Sequence, residues 1–186
     1  MSRKRGGDGS LTGGSGDVNP QYLNSLVTQT GADTFTQVTI PVPVPRFSQR
    51  GERATVMEVL QVTWNHSPFT SAAAGFTVEA IRAALTTKSF AAAPVLSEGT
   101  CFWMQEDVLY GAFTAAGSAF AVDPDKISTD QLDDGAGHGI LVATDNIYLS
   151  LASAATAQAN TAWIKILYRF KEVSLSEYIG IVQSQQ

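Results

Sequence analysis

Cysteine, histidine and charged residues are all scarce in this sequence. The 186 residues include one cysteine, Cys101, and two histidines, and only 16% of them are charged, against about 25% in an average soluble domain. A single cysteine excludes an internal disulfide framework and a cysteine-based zinc site. So few charges on a chain rich in Ala, Thr, Ser and Gly are typical of a protein whose surface becomes subunit interface, where charges are depleted.

Long apolar runs and a basic overall charge are also missing. No apolar segment reaches the roughly 18 residues that a membrane helix needs, and no leader-like pattern opens the sequence. The net charge of −5 argues against a dedicated nucleic-acid-binding domain, whose usual footprint is basic. Neither secretion nor a bilayer is therefore expected.

Catalytic constellations are hard to assemble from these residues. Cys101 could pair with His66 or His138 as nucleophile and base, but no family-specific sequence surrounds it. Its small apolar neighbours favour a buried, inert thiol. We expect a protein that is not an enzyme and holds no cofactor.

What is present divides the chain into three parts. Residues 1–31 begin with a stretch rich in Gly and Ser and predict a weakly basic arm, whose last part, residues 20–31, docks as a short turn of helix. Residues 32–173 predict the folded domain, and residues 174–186 an apolar tail. The 44% hydrophobic content is enough for one core at this length.

Short alternating segments separated by turn residues fill the predicted domain. Residues 54–64 form a strong strand, and residues 76–86 are read as a strand despite their Ala and Leu content. Residues 123–139 are read as a long polar loop. In the last strand, residues 162–173, one face carries Ile164, Ile166, Tyr168 and Phe170. About eight strands and no helix longer than two turns predict an all-β protein, a single jelly roll of eight antiparallel strands in two sheets.

Three features together resemble a known protein family. They are the short basic arm, the eight or so strands, and the closing block of residues 140–182. The chain is similar to the capsid proteins of small environmental viruses, especially circular Rep-encoding single-stranded DNA viruses. The resemblance implies a jelly-roll capsid protein that self-assembles with copies of itself into a small icosahedral shell enclosing a viral genome, with the virion as its location and a host receptor as a further partner.

Basic residues are the candidates for binding that genome, weakly and without sequence specificity. Many of the similar proteins carry a long arginine-rich arm, whereas this arm has three cations, too few for strong binding by each copy. A second set lies on the outward face of the last strand, where pairing with Glu52, Glu58 or Glu172 is an equal alternative. The candidates are Arg3, Lys4, Arg5, Lys165, Arg169 and Lys171.

Two further sets of residues are candidates for contacts between subunits. The tail has no strand partner of its own, so its apolar residues are expected to bury against a neighbouring subunit: Leu175, Tyr178, Ile179, Ile181 and Val182. An interfacial Ca²⁺ is the other possibility, held by carboxylates of the polar loop: Asp123, Asp125, Asp133 and Asp134. Solvated loop acids are the alternative reading of the second set.

Two other function classes stay open. A β-sandwich that binds a carbohydrate or a receptor would have the same strand pattern and would remain a monomer or trimer. A cupin-like enzyme is a distant third, because its metal site needs several histidines close together.

Overall fold

The structure, a computed structural model, describes residues 19–43, 53–70, 75–113 and 127–186. These ranges contain nine strands and one helix. The strands are β1 (Gln21–Thr28), β2 (Thr36–Pro41), β3 (Arg53–His66), β4 (Gly75–Thr86), β5 (Cys101–Phe113), β6 (Ser128–Gln131), β7 (Ile140–Val142), β8 (Asn146–Ala154) and β9 (Thr161–Ser174), and the helix is α1 (Leu175–Ser184). The predicted strand over residues 76–86 is confirmed as β4.

The strands form two antiparallel sheets. Sheet A has the order β1-β9-β3, with β6 and β7 both paired to the far edge of β3, and sheet B has the order β2-β8-β4-β5. The chain passes repeatedly from one sheet to the other, which is the arrangement of a double-sheet jelly roll. The predicted all-β jelly-roll fold is confirmed.

The core lies between the inner faces of the two sheets. In β9, Ile164, Ile166 and Tyr168 are buried as predicted, and Phe170 is partly buried with its ring edge-on to that of Tyr168. Sheet B contributes every second residue of its central strands, which are Ile81, Ala83 and Leu85 in β4 and Ile147, Leu149 and Leu151 in β8. Alternation with a period of two produces this arrangement, because successive strand side chains point to opposite faces.

The described ranges contain nine strands where the sequence predicts about eight, and β1 and β6 are the two that the sequence pattern did not predict. A β-bulge at Leu60 separates the two short strands that pair with the far edge of β3. Pairing between β3 and β9 shifts between Val59 and Gln61, as expected where one strand holds an extra residue. β7 pairs with β3 before the bulge and β6 after it. The predicted polar loop over residues 123–139 is therefore wrong for residues 128–131, which form β6; residues 123–126 lie outside the described residues.

Both ends of the predicted domain need correction. The expected turn of helix within residues 20–31 is wrong, because Gln21–Thr28 pairs along its whole length with β9, and this segment belongs to sheet A rather than to an arm. The expectation of no helix longer than two turns is also wrong. Helix α1 has ten residues and starts with a capping bond in which Ser174 accepts from the Glu177 amide at 3.3 Å. No helix in the described ranges is long and apolar enough to cross a membrane.

A buried hydrogen-bond network fixes one end of the sandwich. The side-chain oxygen of Gln29, just after β1, accepts from the backbone amide of Asn160, just before β9, at 2.9 Å. Asp33, in the β1–β2 loop, accepts from the amide and the hydroxyl of Thr156, both at 3.0 Å. Because Gln29, Thr156 and Asn160 are buried, these bonds hold the β1–β2 and β8–β9 loops together. We call this end of the molecule the network end.

Candidate assembly and nucleic-acid surfaces

Two of the three cations predicted on the last strand are paired with a buried carboxylate. Arg169 Nε lies 2.5 Å and Lys171 Nζ 3.2 Å from the carboxylate of Glu58 on β3. The Gly139 amide donates to the same carboxylate at 3.1 Å, and Arg169 also donates to the Gly137 carbonyl at 2.8 Å. The structure thus shows the alternative that the sequence left open. Arg169 and Glu58 together hold the loop before β7 over sheet A, through Gly137 and Gly139.

The surroundings of Glu58 determine its protonation. Burial raises the pKa of Glu58, but the hydrogen bonds from Arg169, the Gly139 amide and Lys171 together outweigh it and hold that pKa below its ordinary value of 4.5. The carboxylate therefore stays ionised although its side chain is buried.

Acid is expected to weaken the fold through Glu58. Since its pKa is lower in the folded state, the carboxylate stabilises the protein above the ordinary glutamate pKa, and that contribution is lost as the pH falls through the folded value. At about pH 7 the variant Glu58→Gln should unfold at a lower urea concentration than the wild type, because its free energy of unfolding should be lower by about 1–3 kcal/mol. On acidification to about pH 3 the wild type should lose more stability than the variant. Equal losses in the two proteins would contradict this role.

The other predicted nucleic-acid residues are placed differently. Lys165 is exposed and lies over the ring of Tyr22 on β1, with Nζ 4.0 Å from the ring centre, a cation–π contact at the surface. Glu172, one of the carboxylates considered as partners of these cations, pairs instead with Arg53 on β3 at 3.4 Å. Arg3, Lys4 and Arg5 lie outside the described residues. Binding of nucleic acid by any of these residues stays a prediction.

The acidic loop uses its carboxylates locally. Asp133 accepts from the Gly135 amide at 2.9 Å, and Asp134 accepts from the amides of Ala136 and His138. The His138 amide and ring, with the Ala136 amide, lower the pKa of Asp134 to about 2. In the described ranges no group of three or more potential metal ligands occurs, and Asp123 and Asp125 lie outside them. An interfacial Ca²⁺ stays a prediction.

The three residues considered for catalysis have separate partners. The Cys101 thiol contacts the Trp103 carbonyl at 3.5 Å, and burial raises its pKa, which disfavours the reactive thiolate. His66 contacts the Ser67 carbonyl at 2.7 Å and Asp107, on β5 of the other sheet, at 3.2 Å. His138 contacts Asp134. His66 thus links the two sheets, a structural task.

Sheet A exposes large apolar side chains on its outer face near the network end. Trp163 pairs with Leu26 across β9 and β1, and a groove of about 660 Å³ runs between these strands and β3. We define patch A as the exposed residues Tyr22, Leu26, Ile127 and Trp163. Lys165 borders it.

Sheet B exposes a second set on its own outer face. Val78 pairs with Tyr110 across β4 and β5, and β5 is an edge strand of this sheet within the described residues. We define patch B as Phe76, Val78, Val108 and Tyr110, all exposed. The ion pair between Arg82 and Glu106, 3.0 Å apart, borders it.

Helix α1 presents the predicted interface residues of the tail. Leu175 and Ile179 are exposed, while Tyr178, Ile181 and Val182 are half-buried. The tail is attached at its far end by Gln185, whose side chain donates to the Leu141 carbonyl and accepts from the Ala143 amide at 3.0 Å. A surface formed by Leu175 and Ile179 remains open to solvent, and the interface role of the five residues stays a prediction.

Sequence reasoning missed patches A and B. It assigned the outward face of the last strand to its cations, although Trp163 and Leu167 alternate with them. The readable signal was a strand with large apolar residues on both faces, which in an antiparallel sheet indicates that the second face is also covered.

Comparisons with known proteins agree with the fold. No protein-family model matches the chain, and no curated protein is significantly similar to it in sequence. Among solved structures, VP1 of Merkel cell polyomavirus, in complex with disialyllactose, is similar with a TM-score of 0.50 and 8% identity, over 86% of this chain and 97% of that one.

Two further polyomavirus structures are similar. New Jersey polyomavirus VP1 gives a TM-score of 0.48 at 8% identity, over 83% of this chain and 99% of that one. The VP1 pentamer of human polyomavirus 7 gives 0.49 at 10% identity, over 83% and 95%. Together with the strand order, the Merkel cell polyomavirus similarity shows that the chain has the jelly-roll fold of viral capsid proteins.

Proposed function

We propose that this chain is the coat-protein subunit of a small virus and self-assembles into an icosahedral shell around the viral genome. The observation that carries the proposal is the jelly roll with its two facing sheets, shared with the VP1 capsid protein of Merkel cell polyomavirus over nearly the whole of that chain. Since one fold hosts many functions, the surface gives separate support. Both outer faces expose apolar side chains, which monomers rarely do over large areas.

Electron microscopy of the purified protein tests the proposal. Closed particles of uniform diameter, with a matching megadalton peak in size-exclusion chromatography, are the expected result. A chain that stays a monomer or trimer at every protein concentration and salt condition would refute it.

The finer assignment, to circular Rep-encoding single-stranded DNA viruses, rests on the sequence resemblance alone. It predicts single-stranded DNA inside particles isolated from the natural source. Digestion of the extracted nucleic acid with nucleases specific for single-stranded DNA, double-stranded DNA and RNA decides it.

The arm is proposed to contribute to packaging through many weak copies. Arg3, Lys4 and Arg5 are three of the 12 basic residues, and repeated weak contacts add up on a multivalent shell. Deleting residues 2–16 should leave particles that form normally but contain less nucleic acid, measured as the ratio of nucleic-acid to protein absorbance. An unchanged ratio would remove the arm from packaging.

The tail is proposed to bind a neighbouring subunit. Truncation after Ser174 removes α1, including the exposed Leu175 and Ile179 and the Gln185 contacts. Because α1 contains no buried residue, we expect the shortened chain to fold, with a β-type circular dichroism spectrum, but to form no particles. Intact shells, or a chain that cannot fold, would each refute this role.

A carbohydrate-binding module is the second candidate function, and the groove beside Trp163 favours it. An exposed indole with Asn24, Asn65 and Lys165 around it offers a stacking surface and polar groups for a sugar ring. This function predicts a non-assembling protein whose tryptophan fluorescence changes on titration with oligosaccharides.

A further inference from the structure

The outer surfaces of this chain contain two apolar patches that share one height along the sandwich. His66 on β3 contacts Asp107 on β5 across the core at 3.2 Å, so these residues lie at the same height along the sandwich. Trp163 follows Ala162, the β9 partner of His66, and Val108 follows Asp107. Patch A and patch B therefore share one height near the network end, on faces that point in opposite directions. From that height patch A extends away from the network end to Tyr22, and patch B extends toward it to Phe76.

The bordering charges correspond as well. The cation of Lys165 lies two residues beyond Trp163, in the direction away from the network end. The carboxylate of Glu106 lies two residues from Val108 in the same direction. Stacking one copy on another, patch A to patch B, brings a cation opposite the row that contains this carboxylate. Glu106 already accepts from Arg82 at 3.0 and 3.1 Å, and a carboxylate has lone pairs for a further donor.

The area of the patches suits a subunit contact. The eight side chains are between 43% and 73% exposed, which gives about 400 Å² of apolar surface for each patch, on the basis of roughly 150–250 Å² for a whole aromatic side chain. A stable interface takes about 800 Å² from each partner. Each patch thus supplies about half of a standard interface, and its polar border can supply the rest.

We propose that patch A of one copy binds patch B of the next, so that copies of the chain join head to tail into a closed ring. The two patches face opposite ways, so one copy uses them on two different neighbours. Such a heterologous contact continues until a rotation closes the ring. The inference rests on the proposed coat function and names the surface through which its subunits first join.

A pair of variants tests this arrangement. In the first, Leu26→Glu and Trp163→Glu place charges on patch A; in the second, Val78→Glu and Tyr110→Glu place them on patch B. All four positions are exposed, so the folds should survive, which circular dichroism and thermal unfolding verify. Each variant alone should sediment as a monomer. Mixed together they should form a 1:1 dimer of twice the monomer mass, because one intact patch A meets one intact patch B.

Other outcomes overturn the inference. A dimer formed by either variant alone indicates like-with-like contacts. Monomers in the mixture exclude the pairing of the two patches. If the wild type and both variants all form shells, the coat function stands and the patches lie elsewhere in the assembly or under the chain's own residues. If the wild type is a monomer that binds oligosaccharides and the patch A variant does not, the carbohydrate function replaces both proposals.

Discussion

Alanine at position 139 is expected to cost about 2–4 kcal/mol of unfolding free energy. A Cβ on Gly139 would lie 2.1 Å from the carbonyl oxygen of Val59 and 2.8 Å from the carbonyl carbon of the same residue. Non-bonded atoms do not pack this closely. The loop would have to move away from β3 and so break the bond from the Gly139 amide to Glu58. Urea unfolding followed by circular dichroism measures the loss.

Gly99→Ala is the matched control. A Cβ there meets nothing within 4 Å, and the φ of Gly99 lies outside the left-handed region, so the change should alter stability by less than about 0.5 kcal/mol. A Gly139→Ala protein as stable as this control would show that the loop does not close over Glu58 as described.

Aspartate at position 166 should be the most damaging single change. Ile166 is fully buried in the core and pairs with Leu23 on one side and Val62 on the other. An unpaired carboxylate there should cost about 4 kcal/mol or more, a large part of the roughly 5–15 kcal/mol that stabilises a domain. We expect insoluble or unfolded protein, measured by soluble yield and circular dichroism.

The neighbouring position supplies its control. Lys165→Asp introduces the same side chain one residue away, on the exposed face of β9, and removes only the contact with Tyr22. It should stay folded with a change of about 1 kcal/mol at most. If both variants fold equally well, the inward register of β9 is wrong.

The long strands that were predicted correctly are those in which one face packs into the core and the other face carries polar or charged residues. In β9 the inward residues are large and apolar and the outward row contains cations, so the period of two is easy to read. Strand β1 was missed because Tyr22, Leu23, Leu26 and Val27 have the spacing of a helix face, while in the sheet they divide between both faces. Strand β6 was missed because its residues, Ser-Thr-Asp-Gln, are polar and its pairing rests on the backbone and on Thr63–Thr129 and Gln61–Gln131 contacts.

The candidate surfaces were harder to predict than the fold. Nothing in the sequence indicates that Gly139 folds over Glu58, so the pairing of Arg169 and Lys171 with this one carboxylate could be found only in the structure. Patches A and B combine residues that are over 100 positions apart, as with Leu26 and Trp163, or come from two strands of one sheet. The helix in the tail was readable, because Ser174 and Glu177 have the spacing of a capping box.

The central position of β9 in sheet A has a consequence for synthesis. Strand β1 pairs only with β9 in the described part of the chain, and β9 leaves the ribosome after β1 and after all the described strands between them. Pairing over such long sequence separations is slow. Patch A, which needs both strands, therefore cannot exist on a nascent chain before β9 has been made, and until then that chain lacks one of the two surfaces through which we propose that copies join. Assembly through patch A is then confined to chains that already contain β9, and the shorter nascent chains on a polysome are protected from premature polymerisation.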